Sequence, residues 1–73
     1  MSITVDGQQV NIGDVICFKS DVEQCGILKS YKPTMVGRGY ELTLAATSES
    51  GFSGDYIGGA MVTTQHSSDC WVE

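Results

Sequence analysis

The chain has 73 residues and a formal net charge of −5, with 41% hydrophobic and 18% charged residues. A chain of this size forms one domain and buries only about 60% of the surface that it exposes when unfolded. Its ordinary apolar content argues against intrinsic disorder, and no apolar run approaches the roughly 20 residues of a membrane span. No secretory signal is recognisable. We therefore expect a single soluble domain over residues 1–73, in the cytoplasm.

The charge balance bears on the class of partner. Nine acidic residues stand against four basic ones, Lys19, Lys29, Lys32 and Arg38. Proteins that bind a phosphate backbone use clustered Lys and Arg, and here the basic residues are few and scattered. We expect no nucleic-acid binding, and an acidic surface that suits a basic protein partner or simply keeps the chain soluble.

Three cysteines, Cys17, Cys25 and Cys70, are present. An odd number without a secretory signal is typical of reduced thiols in the cytosol. Cys17 lies within an apolar run and is expected to be a small buried residue.

Short strands are predicted along the whole chain. Ile3–Val5 and Gln8–Val10 flank Asp6-Gly7, a dipeptide typical of two-residue hairpin turns. A turn at 11–14 precedes a strong strand candidate at 15–19. The polar stretch 20–24 is expected to be a loop, and 25–32 a strand with a bulge or bend at Gly26. A loop is predicted at 33–39 because Pro33 cannot donate to a ladder.

The second half continues this pattern. Residues 40–46 alternate, with Leu42 and Leu44 on one face. The segment 51–59 holds four of the nine glycines and is predicted to be a bent, bulged strand. Phe52 and Ile57 are its expected inward anchors, while Asp55 and Tyr56 point outward. A strand at 60–65, a 3₁₀ turn at 66–69 and a last strand at 70–73 follow.

This pattern predicts an all-β fold, a small barrel or a sandwich. A barrel removes the sheet edges that a small protein must otherwise protect, so we expect a barrel of about five or six short strands with a short N-terminal hairpin and at most one 3₁₀ turn. Its expected core includes Phe18, Trp71 and Val62.

The run Val10-x-Ile12-Gly13-Asp14-Val15-x-x-Phe18-Lys19 resembles the opening of SH3-like barrels of the KOW kind, and a 3₁₀ turn before a short last strand is similar to the end of those folds. The wider pattern of 18–26, 51–59 and 70–73 resembles small, functionally uncharacterised proteins of tailed bacteriophages. The resemblance implies an SH3-like barrel and a phage origin, but no activity. The acidic charge departs from the KOW modules that bind nucleic acid.

No catalytic set and no cofactor are predicted. Cys17, Cys25, Cys70 and His66 could in principle form a Cys₃His zinc set, but their spacing lacks a C-x-x-C knuckle, so we expect no metal. Cys70, His66 and Asp69 could form a nucleophile, base and orienting acid, yet they lie within one turn, and we expect no catalysis.

The glycines of 51–59 superficially resemble a phosphate loop. Such a loop requires a Lys and then a helix, and neither follows here. Asp55 is instead expected to cap backbone N–H groups in a turn.

The function that these features favour is a non-enzymatic binding module, a phage accessory protein that binds a host protein through an acidic and aromatic surface. The predicted partner-binding residues are Phe52, Asp55, Tyr56, Asp21, Glu23 and Tyr31. The alternatives are an oligomer that sequesters a nucleotide, and a structural or RNA-associated KOW-like module. A homodimer is compatible with each of them.

Overall fold

A computed structural model describes residues 3–34 and 39–72. This part of the chain is all-β, with no α-helix and a single 3₁₀ turn, and it has no helix long and apolar enough to cross a membrane. In chain order the elements are β1 Ile3–Val5, β2 Gln8–Val10, β3 Val15–Ser20, β4 Val22–Pro33, β5 Tyr40–Ala45, β6 Val62–His66, the 3₁₀ turn Ser67–Asp69 and β7 Cys70–Trp71.

The N-terminal hairpin forms as predicted. Strands β1 and β2 pair antiparallel about Asp6 and Gly7, whose φ angles of 50° and 76° are those that a tight hairpin turn requires. The alternation of the arms buries Ile3, Val5 and Val10 and exposes Thr4. The hairpin therefore contributes its own apolar face to the core.

Strands β3 and β4 form a longer hairpin that corrects the predicted loop at 20–24. Ser20 pairs with Val22, and the chain reverses at Asp21, where φ is 67°. A short polar side chain tolerates this left-handed backbone better than most residues do. Residues 22–24 thus belong to β4, which is 12 residues long.

The bend in β4 lies later than predicted. Gly26 pairs regularly with Ile16, and the register of β4 against β5 shifts between Leu28 and Ser30. Lys29 is therefore the extra residue of a bulge, which bends a strand locally. At its other end β4 continues through Pro33, which pairs with Tyr40. Residues 35–38 of the predicted loop lie outside the described residues.

The main sheet has five antiparallel strands in the order β6-β5-β4-β3-β7. The predicted 3₁₀ turn covers Ser67–Asp69 and not 66–69, because His66 still pairs with Glu41 in β6. The last strand, predicted at 70–73, covers Cys70–Trp71; Glu73 is outside the described residues. The described strands do not close into a barrel, because β1 and β2 form a separate sheet and no ladder joins β6 to β7. The all-β class is confirmed, but the closed SH3-like barrel is not.

The core lies between the inner face of the main sheet and the hairpin, and Tyr31, Tyr40 and Ile57 pack at its margin. Two expectations are wrong here: Trp71 is only half-buried, and Val62 is 57% exposed because it lies on the outer face of the edge strand β6. The buried apolar residues are Ile3, Val5, Val10, Ile16, Cys17, Phe18, Leu28, Leu42, Leu44, Phe52 and Cys70.

A disulfide joins Cys17 to Cys25, which corrects the expectation of three reduced thiols. The two residues are direct partners in the β3–β4 ladder, and this register brings their side chains together across the hairpin. Cys70 is a free, buried thiol. Disulfides persist mainly in oxidising compartments, so the bond does not favour a cytoplasmic location.

Candidate functional site

The glycine-rich segment 51–59 is a loop of turns and not the bent strand that was predicted. The N–H of Phe52 donates to the carbonyl of Ala60 (2.8 Å), and the N–H of Gly59 donates to the carbonyl of Phe52 (2.8 Å). These bonds close the base of the loop. The two ends of the loop are therefore held together by backbone bonds, and Ile57 packs at the margin of the core.

The loop docks on the turn between β3 and β4. The side-chain amide of Gln24 binds both backbone groups of Ser53. Its Oε1 accepts from the Ser53 N–H (2.8 Å), and its Nε2 donates to the Ser53 carbonyl (2.9 Å). A carboxylate oxygen of Asp21 accepts from the N–H of Asp55 at 2.6 Å. A charge-assisted bond of this kind is stronger than a neutral one. Three side-chain bonds thus fix the loop on the turn.

Gly54 permits this close docking. Its φ is +109°, and a Cβ built on it would lie 2.6 Å from the carbonyl oxygen of Ser20. A side chain would meet both strained backbone and a fixed backbone atom. The glycine is thus required by the approach of the loop to the turn, and it does not form a phosphate cradle.

Phe52 anchors the loop from below. Its ring meets Phe18 edge to face, with centroids 5.3 Å apart, and it is only 4% exposed. The ring passes over Gly26, where an added Cβ would lie 3.0 Å from Phe52 Cζ and 2.9 Å from the Ala45 carbonyl oxygen. Gly26 is therefore a close-packing position and not the bulge that was expected.

Four of the six predicted partner-binding residues lie at the docked turn and loop. Asp21 forms the β3–β4 turn and Glu23 lies two residues later, at the start of β4, whereas Asp55 and Tyr56 belong to the loop bonded to Asp21; all four are exposed. Tyr56 is 87% exposed, the highest value among the large apolar side chains of the described residues. We call Asp21, Glu23, Asp55 and Tyr56 the acidic end.

The other two predicted residues do not join this surface. Phe52 is buried, so its ring is unavailable to a partner. Tyr31 lies toward the opposite end of β4, beside Leu42, and its ring packs edge to face on Tyr40 with centroids 5.7 Å apart. Both rings contribute to packing, because Phe52 contacts the ring of Phe18 and Tyr31 contacts the ring of Tyr40.

Charge is distributed unevenly along β4. Within the described part of the chain, the single ion pair joins Lys32 to Glu41 at 3.6 Å, toward the end remote from Asp21. Lys19 lies opposite Glu23 in the β3–β4 ladder and is the nearest base to the acidic end in that register. The carboxylates of Asp21, Glu23 and Asp55 therefore give this end a negative field.

The predicted Cys70–His66–Asp69 set does not assemble as a nucleophilic site. His66 Nδ1 bonds Ser68, both at its backbone N–H (3.0 Å) and at its Oγ (2.8 Å). Cys70 Sγ instead donates to the His66 carbonyl (3.3 Å). Burial, with the charge of Asp69 adding to it, raises the pKa of the Cys70 thiol to about 11. A thiol with so high a pKa is protonated at neutral pH and is a poor nucleophile.

Within the described residues, 3–34 and 39–72, no group of three or more His, Cys, Asp or Glu could hold a metal ion. These residues also enclose no pocket. The surface of this part of the chain offers instead projecting side chains. In the turn Asn11–Asp14 the Asp14 carboxylate accepts from the Asn11 N–H at 2.8 Å, and the backbone of the turn bonds Leu28 of β4.

Sequence reasoning missed Gln24 and Ser53, the pair that holds the loop. Their contact spans 29 residues and that of Asp21 with Asp55 spans 34. Asp55 was expected to cap a backbone N–H; in the structure its own N–H is the donor, and Asp21 is the cap. No local pattern marks such pairs, because each depends on how the hairpin and the loop meet.

Neither a protein-family model, nor a curated protein, nor a solved structure matches this chain.

Proposed function

We propose that this protein is a non-enzymatic binding module whose acidic end contacts a protein partner with a basic surface. The observation that carries the proposal is the docking of loop 51–59 on the β3–β4 turn. It brings Asp55 and Tyr56 of the loop beside Asp21, with Glu23 two residues further along the chain, on a backbone held by Gln24, Asp21 and the buried Phe52.

Preorganisation supports a binding role. The Tyr56 side chain is 87% exposed, so a partner that covers it would remove apolar surface from water. Aromatic residues are enriched among the interface residues that contribute most of the binding energy. The loop under Tyr56 is closed by backbone bonds, so a partner meets a surface that is already ordered. Binding to ordered surface avoids part of the entropy that association otherwise costs.

The charge distribution supports a basic partner. Complementary charge steers association and raises the on-rate, an effect that salt weakens. Asp21, Glu23 and Asp55 supply the negative side, while Lys32 and its ion pair lie toward the other end of β4. A partner with clustered Lys or Arg would therefore approach the acidic end first.

The resemblance to tailed-phage proteins extends the proposal to an accessory protein acting on a host protein, on an SH3-like scaffold, in the host cytoplasm. The 3₁₀ turn before a short last strand supports the SH3-like relationship. The Cys17–Cys25 disulfide weighs against a reducing compartment.

The test is affinity capture from a bacterial lysate on the immobilised wild-type chain and on the double variant Asp55→Ala/Tyr56→Ala. Asp55→Ala keeps the backbone N–H that bonds Asp21, so the loop remains docked. We expect wild type to retain a stoichiometric protein, and the double variant to retain at least about tenfold less, as loss of a central aromatic residue typically produces.

The matched control is Glu49→Ala, which removes an exposed acid from the turn 47–50. It should retain the same protein as wild type, and retention by wild type should fall as salt is added. Capture of no stoichiometric protein, or equal capture by the double variant, would contradict the proposal.

A further inference from the structure

Among the described residues, the outer side of β6 is an unpaired strand edge. The N–H of Ala46 donates to the carbonyl of Met61 at 2.8 Å, and this pair continues the β5–β6 register. Hydrogen-bonded and non-hydrogen-bonded pairs alternate in an antiparallel ladder. Thr63 and Gln65 therefore bond β5, whereas Val62, Thr64 and His66 direct their backbone groups to the opposite side.

No described strand pairs with that side of β6, which is the last strand of its sheet. The Cys70 thiol donates to the His66 carbonyl, and a carbonyl oxygen can accept a second bond. Unpaired N–H and C=O groups in a row form a template for another strand.

This edge lacks the usual protection. Natural proteins block free edges with charged residues, Pro or bulges. The stretch from Tyr56 to Ser68 contains no Asp, Glu, Lys, Arg or Pro, and no other stretch of the chain without these four charged residue types is as long. The opposite edge strand, β7, has only two residues and follows Asp69. The sheet therefore has one edge suited to pairing.

A row of apolar side chains on the outer face of the sheet reaches this edge. Val15, Ile27, Ala45 and Val62 are successive cross-strand partners from β3 to β6, so their side chains share the outer face of the sheet. Val62 is 57% exposed and the preceding Met61 is 50% exposed. A strand laid beside β6 would remove part of both side chains from water.

We infer that β6 pairs antiparallel with β6 of a second copy of this chain, about a two-fold axis at Thr64. In this register Thr64 bonds its own equivalent, and Val62 bonds the His66 of the second copy, so every outward backbone group has a partner. Thr–Thr pairs across strands are favourable.

The lack of charged residues over 56–68 permits a second copy as the occupant. A chain of net charge −5 repels itself, but this pairing places no two carboxylates opposite each other. A five-residue strand pair buries less than the roughly 1,200 Å² of stable complexes, so the dimer is weak and reversible. The dimer uses β6 and not the acidic end, and it does not rest on the proposed function.

Sedimentation equilibrium of the purified chain alone tests the dimer at concentrations up to about 1 mM, which detects millimolar dissociation constants. The weight-average mass of wild type should rise steadily above the monomer mass as the concentration increases. Thr64→Pro removes an outward N–H without touching the β5 ladder, and Thr64→Lys places like charges opposite each other. Both should remain monomeric. The matched control Thr4→Lys, at the exposed position of β1, should dimerise as wild type does.

Crosslinking tests the register, and it does so even if Thr64→Pro fails to fold. Cα atoms of a hydrogen-bonded pair lie about 5.5 Å apart, within disulfide range. With copper–phenanthroline as oxidant, Thr64→Cys should form a covalent dimer several-fold faster than Thr4→Cys. Monomeric wild type at the highest concentration, equal dimerisation of Thr64→Lys, or equal crosslinking of the two cysteine variants would overturn the inference.

Discussion

Cys70 shows how position changes the chemistry of one residue. In sequence it neighbours His66 and Asp69, an arrangement that could be drawn as a nucleophilic site. In the structure the thiol is buried against Phe18, its ladder partner, and His66 uses its ring nitrogen to hold Ser68. Burial therefore decides the protonation state of the thiol, and Asp69 reinforces that effect instead of orienting a base.

The raised pKa of Cys70 predicts a loss of stability in alkali. The folded chain holds the thiol proton up to about pH 11, against an ordinary pKa of 9.0. The contribution of the Cys70 thiol to the free energy of unfolding is therefore complete below pH 9 and disappears as the pH rises toward 11. The reason is that the unfolded chain releases this proton at a lower pH than the folded chain does. Urea unfolding across this range should show a steeper loss of stability for wild type than for Cys70→Ala.

Comparing the pH dependence of the two proteins isolates the contribution of Cys70, because every other ionisable group is common to both. Cys70→Ala also loses packing, but that loss is the same at every pH. Equal slopes for the two proteins would show that the buried thiol is not responsible.

At the scale of elements, the β3–β4 hairpin organises both halves of the molecule. Its inner face supplies Ile16, Phe18 and Leu28 to the core, and its turn supplies the groups that hold loop 51–59. The same hairpin carries the Cys17–Cys25 disulfide, which joins residues that are already ladder partners.

Reduction of the disulfide should destabilise the fold without changing it. The bond closes a loop with a sequence separation of 8, for which the chain-entropy relation gives about 2.5 kcal/mol. Urea unfolding with and without a reducing agent should show this loss for wild type. The double variant Cys17→Ala/Cys25→Ala should be less stable and insensitive to the reductant.

A wild-type midpoint that does not move under reductant would contradict this prediction. A reduced chain that remains folded and keeps its acidic end would be compatible with action in a reducing cytoplasm.

At the scale of the whole molecule, burial separates the aromatic residues that were predicted together. Phe52 lies beneath the loop and Tyr56 lies above it, only four positions later. A small domain has a net stability of about 5–15 kcal/mol, so one core aromatic residue represents a large share of the total.

Phe52→Ala should therefore cost about 3–5 kcal/mol, since it removes the ring from Phe18 and Gly26. Tyr56→Ala should change stability by less than about 0.5 kcal/mol, because the ring is in water. Thermal unfolding of both variants beside wild type measures the difference. A comparable cost at the two positions would mean that Tyr56 is part of the architecture and not of a binding surface.

Much of the secondary structure was predictable because it depends on neighbouring residues. Asp6-Gly7 supplies the backbone freedom of a tight turn, and the alternation of Leu42 and Leu44 marks the buried face of β5; both predictions are confirmed. The failures occur where a distant element changes local preference. Polar residues 22–24 become strand by pairing with β3, and segment 51–59 becomes a loop by docking on a turn.

The sequence by itself determined the all-β class, the N-terminal hairpin, the 3₁₀ turn near the end and the negative charge, because these follow from local spacing and composition. Only the tertiary structure decided that Cys17 meets Cys25, that Asp21 caps Asp55 and that the outer edge of β6 has no partner strand among the described residues. Each of these depends on strand order and register, which arise from burying one shared core and cannot be inferred from any single segment.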